Sequence, residues 1–291
     1  GSAPAAAPAA PQSGGSLLDS LLDAPATSSQ ATAKGAVSSM IDAMRGSPTV
    51  SAEIAKQQRA IHRLIDDRLA LTAADVLRAP ALVALESAWR GLKMVLDERT
   101  DDSGVAIDVL ELKDGDAAAQ LEAAIPEDPL ERPDLMVVAD AIGTLATITA
   151  VGDLAEGLSA PAIIEIDLAG VGADDASQLA LRWEEGPVPA DWLAARDDRL
   201  ARWVFVTANP VVSVAEGVGA AKRLVTSSSA LSLAAMLIRS YRLTGAFARI
   251  GSGWRGPAVH VPATGAAQGS AVPTVAFVNS KSQSVLLKHC L

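Results

Sequence analysis

The chain is poor in the residues that most often carry chemistry. Among its 291 residues there is one cysteine, one tyrosine and three histidines. A lone thiol, Cys290, excludes an internal disulfide and a cysteine-built metal site. His62, His260 and His289 have no partner at metal-ligand spacing, which removes the histidine-based zinc motifs as well. Positive charge is also short. Lys and Arg total 24 against 34 Asp and Glu, giving a formal net charge of −10 and a sequence pI of about 4.8. Such a chain is a poor binder of nucleic acid or of an anionic membrane surface, because both ask for a basic face. No uninterrupted apolar run reaches a spanning length, so no transmembrane helix or membrane insertion is expected. The opening GSAPAAAPAAPQSGG has no basic region leading into an apolar stretch and does not read as a secretory signal.

What the chain does have is a succession of segments with distinct periodicities. Residues 1–35 read as a disordered arm that carries a short amphipathic helix over 16–24. In SLLDSLLDAP, Leu17, Leu18, Leu21 and Leu22 fall on one helical face, with Ser16 as N-cap and Pro25 as stop. Two turns do not persist alone. This face either folds back on the chain's own core or docks on another subunit, and both readings are open. Residues 36–100 read as a helical segment. Ile54, Ile61, Leu64, Ile65 and Leu69 keep a helical period up to a break at Pro80. Leu82, Leu85, Trp89, Leu92 and Leu96 then follow at spacings of 3, 4, 3 and 4. The pattern predicts an antiparallel helical pair with Trp89 in the interior. In the same stretch Glu86 and Arg90 stand one turn apart and can pair on a flank. Gly91 costs about 1 kcal/mol inside a helix, which implies close approach of another element.

Residues 101–291 read as an α/β domain. GVAIDVLEL (Gly104–Leu112) alternates apolar and polar and predicts a strand, and GDAAAQLEAAI predicts a helix. PDLMVVAD (Pro133–Asp140) and APAIIEID (Ala160–Asp167) predict buried strands joined by the helix TLATITAVGDLAEGL, a βαβ unit. A short helix, a strand at Trp203–Thr207 and a long apolar helix follow, the last with Arg239 and Arg242 near its C-terminal end. After a loop-rich part, TVAFVNSKSQSVLLKHCL predicts one or two strands. The expected fold is mixed α/β: an N-terminal helical pair packed on a mixed, partly parallel sheet with flanking helices.

The carboxyl ends of such strands are where α/β proteins keep their sites. Here they carry Asp140, Asp167 and Asn209. Aspartates there either hold Mg²⁺ with waters or cap helices and end loops. GVGAAKR (Gly217–Arg223) lacks Walker spacing and does not follow the first strand, and the GSG around Ser252 lacks the nucleophile-elbow spacing. Ala173–Asp175 reads as a solvated turn. Trp183, Trp192 and Trp203 lie beside charged residues, which fits half-buried packing and ligand stacking equally. Trp254, flanked by glycines and followed by Arg255, is a candidate interface anchor. No catalytic, cofactor-binding or metal residue is assigned, and no enzymatic activity is expected.

The helical segment also carries a resemblance. LLD at Leu17–Asp19, an Ile/Asp helix at Ile61–Leu69, the break up to Pro80 and LESAWRGL at Leu85–Leu92 occur in this order. Together they resemble the large sheath subunit of the bacterial type VI secretion system, a contractile injection machine. The motif residues are Leu85, Glu86, Trp89, Arg90, Gly91 and Leu92. WLAARDDRLARWVFVTANP, FARIGSGWRGPAV and VPTVAFVNSKSQ are similar to later segments of that family, more loosely. ANPVVSVAEG stands where the family has an Arg- and Tyr-bearing stretch, and the family's long C-terminal part has no counterpart. The resemblance implies a structural protein of the bacterial cytoplasm that works by subunit packing and strand exchange, without a cofactor. It implies self-assembly and, as partners, a small sheath subunit, an inner tube protein, the baseplate and a recycling AAA+ unfoldase. A sheath-like accessory or regulator that caps or modulates assembly is the alternative expectation. The rival from another class is a ligand- or nucleotide-binding α/β enzyme.

Overall fold

The computed structural model describes residues 34–41, 51–111, 117–142, 145–217, 219–251, 253–262 and 268–289. The chain divides into two compact units, Gly1–Asp75 and Val76–Leu291. The first holds α1 (34–41) and most of α2 (Ser51–Leu77). On α2 the covered face runs through Gln57, Ile61, Leu64, Arg68, Leu71 and Ala74, at steps of three and four. Ile65 and Leu69 stay exposed.

The second unit is a mixed α/β fold. Three parallel strands, β1 (Met136–Ile142), β2 (Ala162–Ile166) and β3 (Val204–Thr207), form a sheet in the order β1-β2-β3. Val137 pairs with Ile163, and Ile163 with Phe205. β2 is buried along its whole length, which is why AIIEI reads as a continuous apolar run broken by one acid. The crossover helix α5 (Leu145–Leu158) touches all three strands, as does α8 (Ser229–Thr244). α5 ends at Ser159, a non-glycine residue with φ of 57°. α8 stops at Gly245, whose φ of 66° lets its N–H reach the Tyr241 carbonyl at 2.7 Å.

α3 (Pro80–Glu98) starts at a proline, whose missing N–H costs nothing in a first turn. It packs on α8 and on the hairpin of β4 (Val211–Glu216) and β5 (Arg223–Ser227). That hairpin was not among the expected elements. A register shift between Val212 and Val214 breaks its alternation, which hides a strand from a period-2 search. Further elements are α4 (Ala117–Ala124), α6 (Ala176–Glu185), α7 (Ala190–Asp197) and α9 (Ser280–Lys288). Asp175, expected in a solvated turn, is the N-cap of α6. Its carboxylate accepts from Ser177 N at 2.8 Å and Gln178 N at 2.9 Å.

Two expected strands are corrected. Residues 104–111 form no regular element and join no ladder, and Leu112 lies outside the described residues. The alternation in GVAIDVLEL reports that one side packs: Val105 and Ile107 are half-buried, while Val109 and Leu110 are exposed. It carries no information on backbone pairing. Near the C-terminus only isolated bridges form, Val211 with Thr274 and His260 with Val272. The following SKSQSVLLK is helix α9, because the Asn279 side chain accepts from Ser282 N at 2.8 Å and caps it. No described helix is long and apolar enough to cross a membrane.

Candidate functional site: the α3 faces and the strand ends

α3 presents two opposed apolar faces. One is buried: Gly91, Met94 and Val95 pack with Leu231, Ala234 and Ala235 of α8. Gly91 sits where the helices come closest. A Cβ there would lie 2.4 Å from Leu231 Cδ1 and 3.4 Å from Ser227 Cβ. The other face is the heptad stripe, and it is open. Leu82 is 40% exposed, Leu85 55%, Trp89 64% and Leu96 44%, with Leu92 half-buried. The spacing predicts Trp89 in the interior; the structure puts it outside. Regular spacing identifies an apolar face, but which of two faces meets the core depends on the rest of the fold. α8 selects the face that has a glycine to admit Leu231.

Between these faces runs an ion network. Glu86 accepts from Arg90 Nε at 2.7 Å and from Arg223 of β5, which also donates Nε to Glu216 at 2.9 Å. The Arg223 side chain is nearly closed to solvent. Its guanidinium holds the Glu86 carboxyl below the ordinary range, against the opposing pull of burial, and Arg90 adds to the effect. Glu86 and Glu216 in turn raise Arg223. Ser227 Oγ donates to the Ser87 carbonyl at 3.1 Å, and Arg78 donates to the carbonyls of Ala220 and Lys222 at 2.6 and 2.7 Å. The motif residues therefore clamp α3 to the hairpin. GVGAAKR is the loop being clamped and its arginine is the clamp.

Two of the three strand-end groups are used by the fold. Asp167 accepts from Ala169 N at 3.0 Å and starts a short 3₁₀ turn. Asn209 exchanges two bonds with the Ala276 backbone, at 3.0 and 3.1 Å. Asp140 is exposed beside the β1 irregularity. Sequence reasoning missed Glu165, which is 7% exposed on β2. It accepts from Ser229 N at 2.5 Å and Ser229 Oγ at 2.9 Å, and Ser229 Oγ also meets Thr207 Oγ1 at 2.8 Å. A carboxylate at the N-terminus of a 16-residue helix is favoured by the helix dipole. The cluster is thus an internal cap, and its signal was the single acid inside AIIEI. Among the described residues no group of three His, Cys, Asp or Glu could hold a metal ion.

The remaining candidates go mainly into packing. Trp183 and Trp192 are buried with ring centroids 5.5 Å apart, and Trp192 Nε1 donates to the His289 carbonyl at 2.9 Å. Burial, then Lys288 and Arg196, hold the His289 imidazole below its usual range. His260 meets the Thr274 carbonyl at 2.9 Å, and His62 is exposed. Trp203 is half-buried. Trp254 packs half-buried against the α3–α8 cluster, while Arg255 is exposed. Leu17, Leu18, Leu21 and Leu22 lie outside the described residues, as does Cys290. Two clefts share Trp192 as a wall, of about 190 and 290 Å³. Both fall below the range of about 300–1,000 Å³ usual for small-molecule sites.

The fold and site thus define a mixed α/β protein whose least ordinary surface is an open apolar helix face. No protein-family model and no curated protein matches the chain.

Proposed function

We propose that the chain is a structural subunit of a contractile injection apparatus of the type VI secretion kind, similar to its large sheath subunit and without bond chemistry of its own. The observation that carries this reading is the stripe of LESAWRGL. The residues that bear the family resemblance include Leu85 and Trp89, which stand open to solvent. Exposed contiguous apolar surface marks a place where another protein sits. A second feature points the same way. β1 and β3 each pair only with β2, so among the described residues neither outer edge of the sheet carries a strand partner, and strand addition there would complete it. Asp167 and Asn209 are engaged in a cap and a loop contact, while Asp140 is exposed, so the rival enzyme reading keeps one strand-end carboxylate to work with.

The expected partners are a small sheath subunit and an inner tube protein, with baseplate and recycling unfoldase contacts, in a bacterial cytoplasm. Co-expression with a small sheath subunit carrying an affinity tag tests the reading. A stable heteromer through size exclusion supports it. A chain that elutes alone as a monodisperse monomer contradicts it.

A further inference from the structure

We infer that the open face of α3 is a self-complementary docking surface for a second copy of this chain, paired antiparallel about Trp89. The inference does not rest on the assembly reading above. It starts from the geometry of one helix. At about 100° per residue, the stripe Leu82, Leu85, Trp89, Leu96 lies on the opposite side of α3 from the buried Gly91, Met94 and Val95. A second chain can therefore reach it without disturbing the α8 contact.

The stripe is nearly symmetric in sequence. Leu82 and Leu96 each stand seven residues from Trp89. A two-fold axis through Trp89 therefore lays Leu82 of one copy beside Leu96 of the other and brings the two indoles together at the centre. That is an isologous contact. The flanks favour the same arrangement. One flank carries the exposed small residues Ala81 and Ala88, and the other carries Glu86, Arg90, Lys93 and Asp97. Antiparallel helices put like flanks together. Alanine then meets alanine, which lets the backbones approach, and Glu86 of each copy comes within one residue's rise of Lys93 of the other. A parallel pair would face each charged flank with alanines and gain neither.

The surface is also held in place before it binds. Arg223 and the Gly91–Leu231 contact fix α3 to the body of the second unit, so little ordering is lost on pairing. The open apolar area is on the order of 400 Å² per copy, the size of the largest, often functional patch on a typical monomer and small for an interface, which fits a weak dimer. An isologous pair closes on itself and cannot propagate. The pair is accordingly a form of the free chain, and in it the stripe is hidden from any other partner.

Sedimentation equilibrium of the full chain, from low to high micromolar concentration, tests this. The wild-type mass should climb from 29.7 kDa toward twice that value. Trp89→Glu and Leu85→Glu should stay at 29.7 kDa and still fold cooperatively, with melting midpoints lowered by no more than a few degrees. In a Cys290→Ser background, spin labels at Ala88→Cys should lie nearly level across the pair. Labels at Asp97→Cys should lie roughly 24 Å apart along the axis. A wild-type mass fixed at the monomer, a mass that climbs past the dimer without limit, or dimerisation of Trp89→Glu like the wild type would overturn the inference. So would equal distances for both labels. Loss of folding in both glutamate variants would contradict the exposure on which the pairing stands.

Discussion

Replacing Trp89 by alanine separates an outward stripe from a buried one by magnitude. A fully buried Trp→Ala change costs about 3–5 kcal/mol. Trp89 is 64% exposed, so only about a third of its surface is packed. Scaling by that third gives a cost of about 1–1.5 kcal/mol. Met94 is the internal comparison. It is five residues along the same helix and 8% exposed against α8, and Met94→Ala should cost about 2–5 kcal/mol. Urea unfolding followed by circular dichroism, at low micromolar protein so that association contributes little, measures both. The structure predicts that Met94→Ala is clearly the worse of the two. A Trp89→Ala loss of 3 kcal/mol or more, or one exceeding that of Met94→Ala, would refute the outward placement.

Arg223→Met removes the guanidinium that serves two carboxylates. Breaking a buried pair costs about 3–5 kcal/mol, and the partial exposure of Glu86 (20%) and Glu216 (51%) discounts this to about 2–3. Glu216→Gln, at the open end of the network, should cost under about 1 kcal/mol by the same assay. The network also sets an acid response. Glu86 has a folded pKa below its ordinary 4.5, so below that value the unfolded chain binds more protons than the folded one. Its stabilisation is present above 4.5 and is lost as pH falls through the folded value. Thermal melts from neutral to pH 3 should show this loss, and a shallower one in Arg223→Met; equal slopes would count against the clamp. Gly91→Val drives a branched side chain into Leu231 and should cost about 1–3 kcal/mol, with Leu231→Ala in the same chain relieving part of it. Gly91→Ala should be milder, since the Leu231 methyl can swing aside and alanine restores about 1 kcal/mol of helix propensity.

The βαβ unit was legible in the sequence because its signals are local. Five residues of β2 sit between Pro161 and Asp167 and are buried on both faces, so their apolar run needs no partner to interpret it. α8 was legible from its apolar length, with Arg239 and Arg242 near its C-terminal end. Residues 104–111 and helix α9 were misread where periodicity had to stand in for pairing and capping. For 104–111 the missing information is which strand, if any, lies alongside it; for α9 it is the Asn279 cap, visible in NSKS but outweighed by the β-branched run before it. The site shows the sharper limit. Glu86 and Arg90 are one turn apart and their pairing is local, whereas Arg223 lies 137 residues from Glu86 and no spacing rule reaches it. The two faces of α3 were both present as patterns. Only the position of α8 distinguishes the one that is core from the one that is open.

The most direct test of the central claim, that this chain acts by assembly, is negative-stain electron microscopy of the protein co-expressed with a small sheath subunit. The proposal predicts ordered tubes or sheath-like filaments from the wild-type pair, and their loss in a Trp89→Glu variant that still folds cooperatively. Fields of single particles from the wild-type pair, together with a melting shift on adding a nucleotide or metal ion, would contradict it.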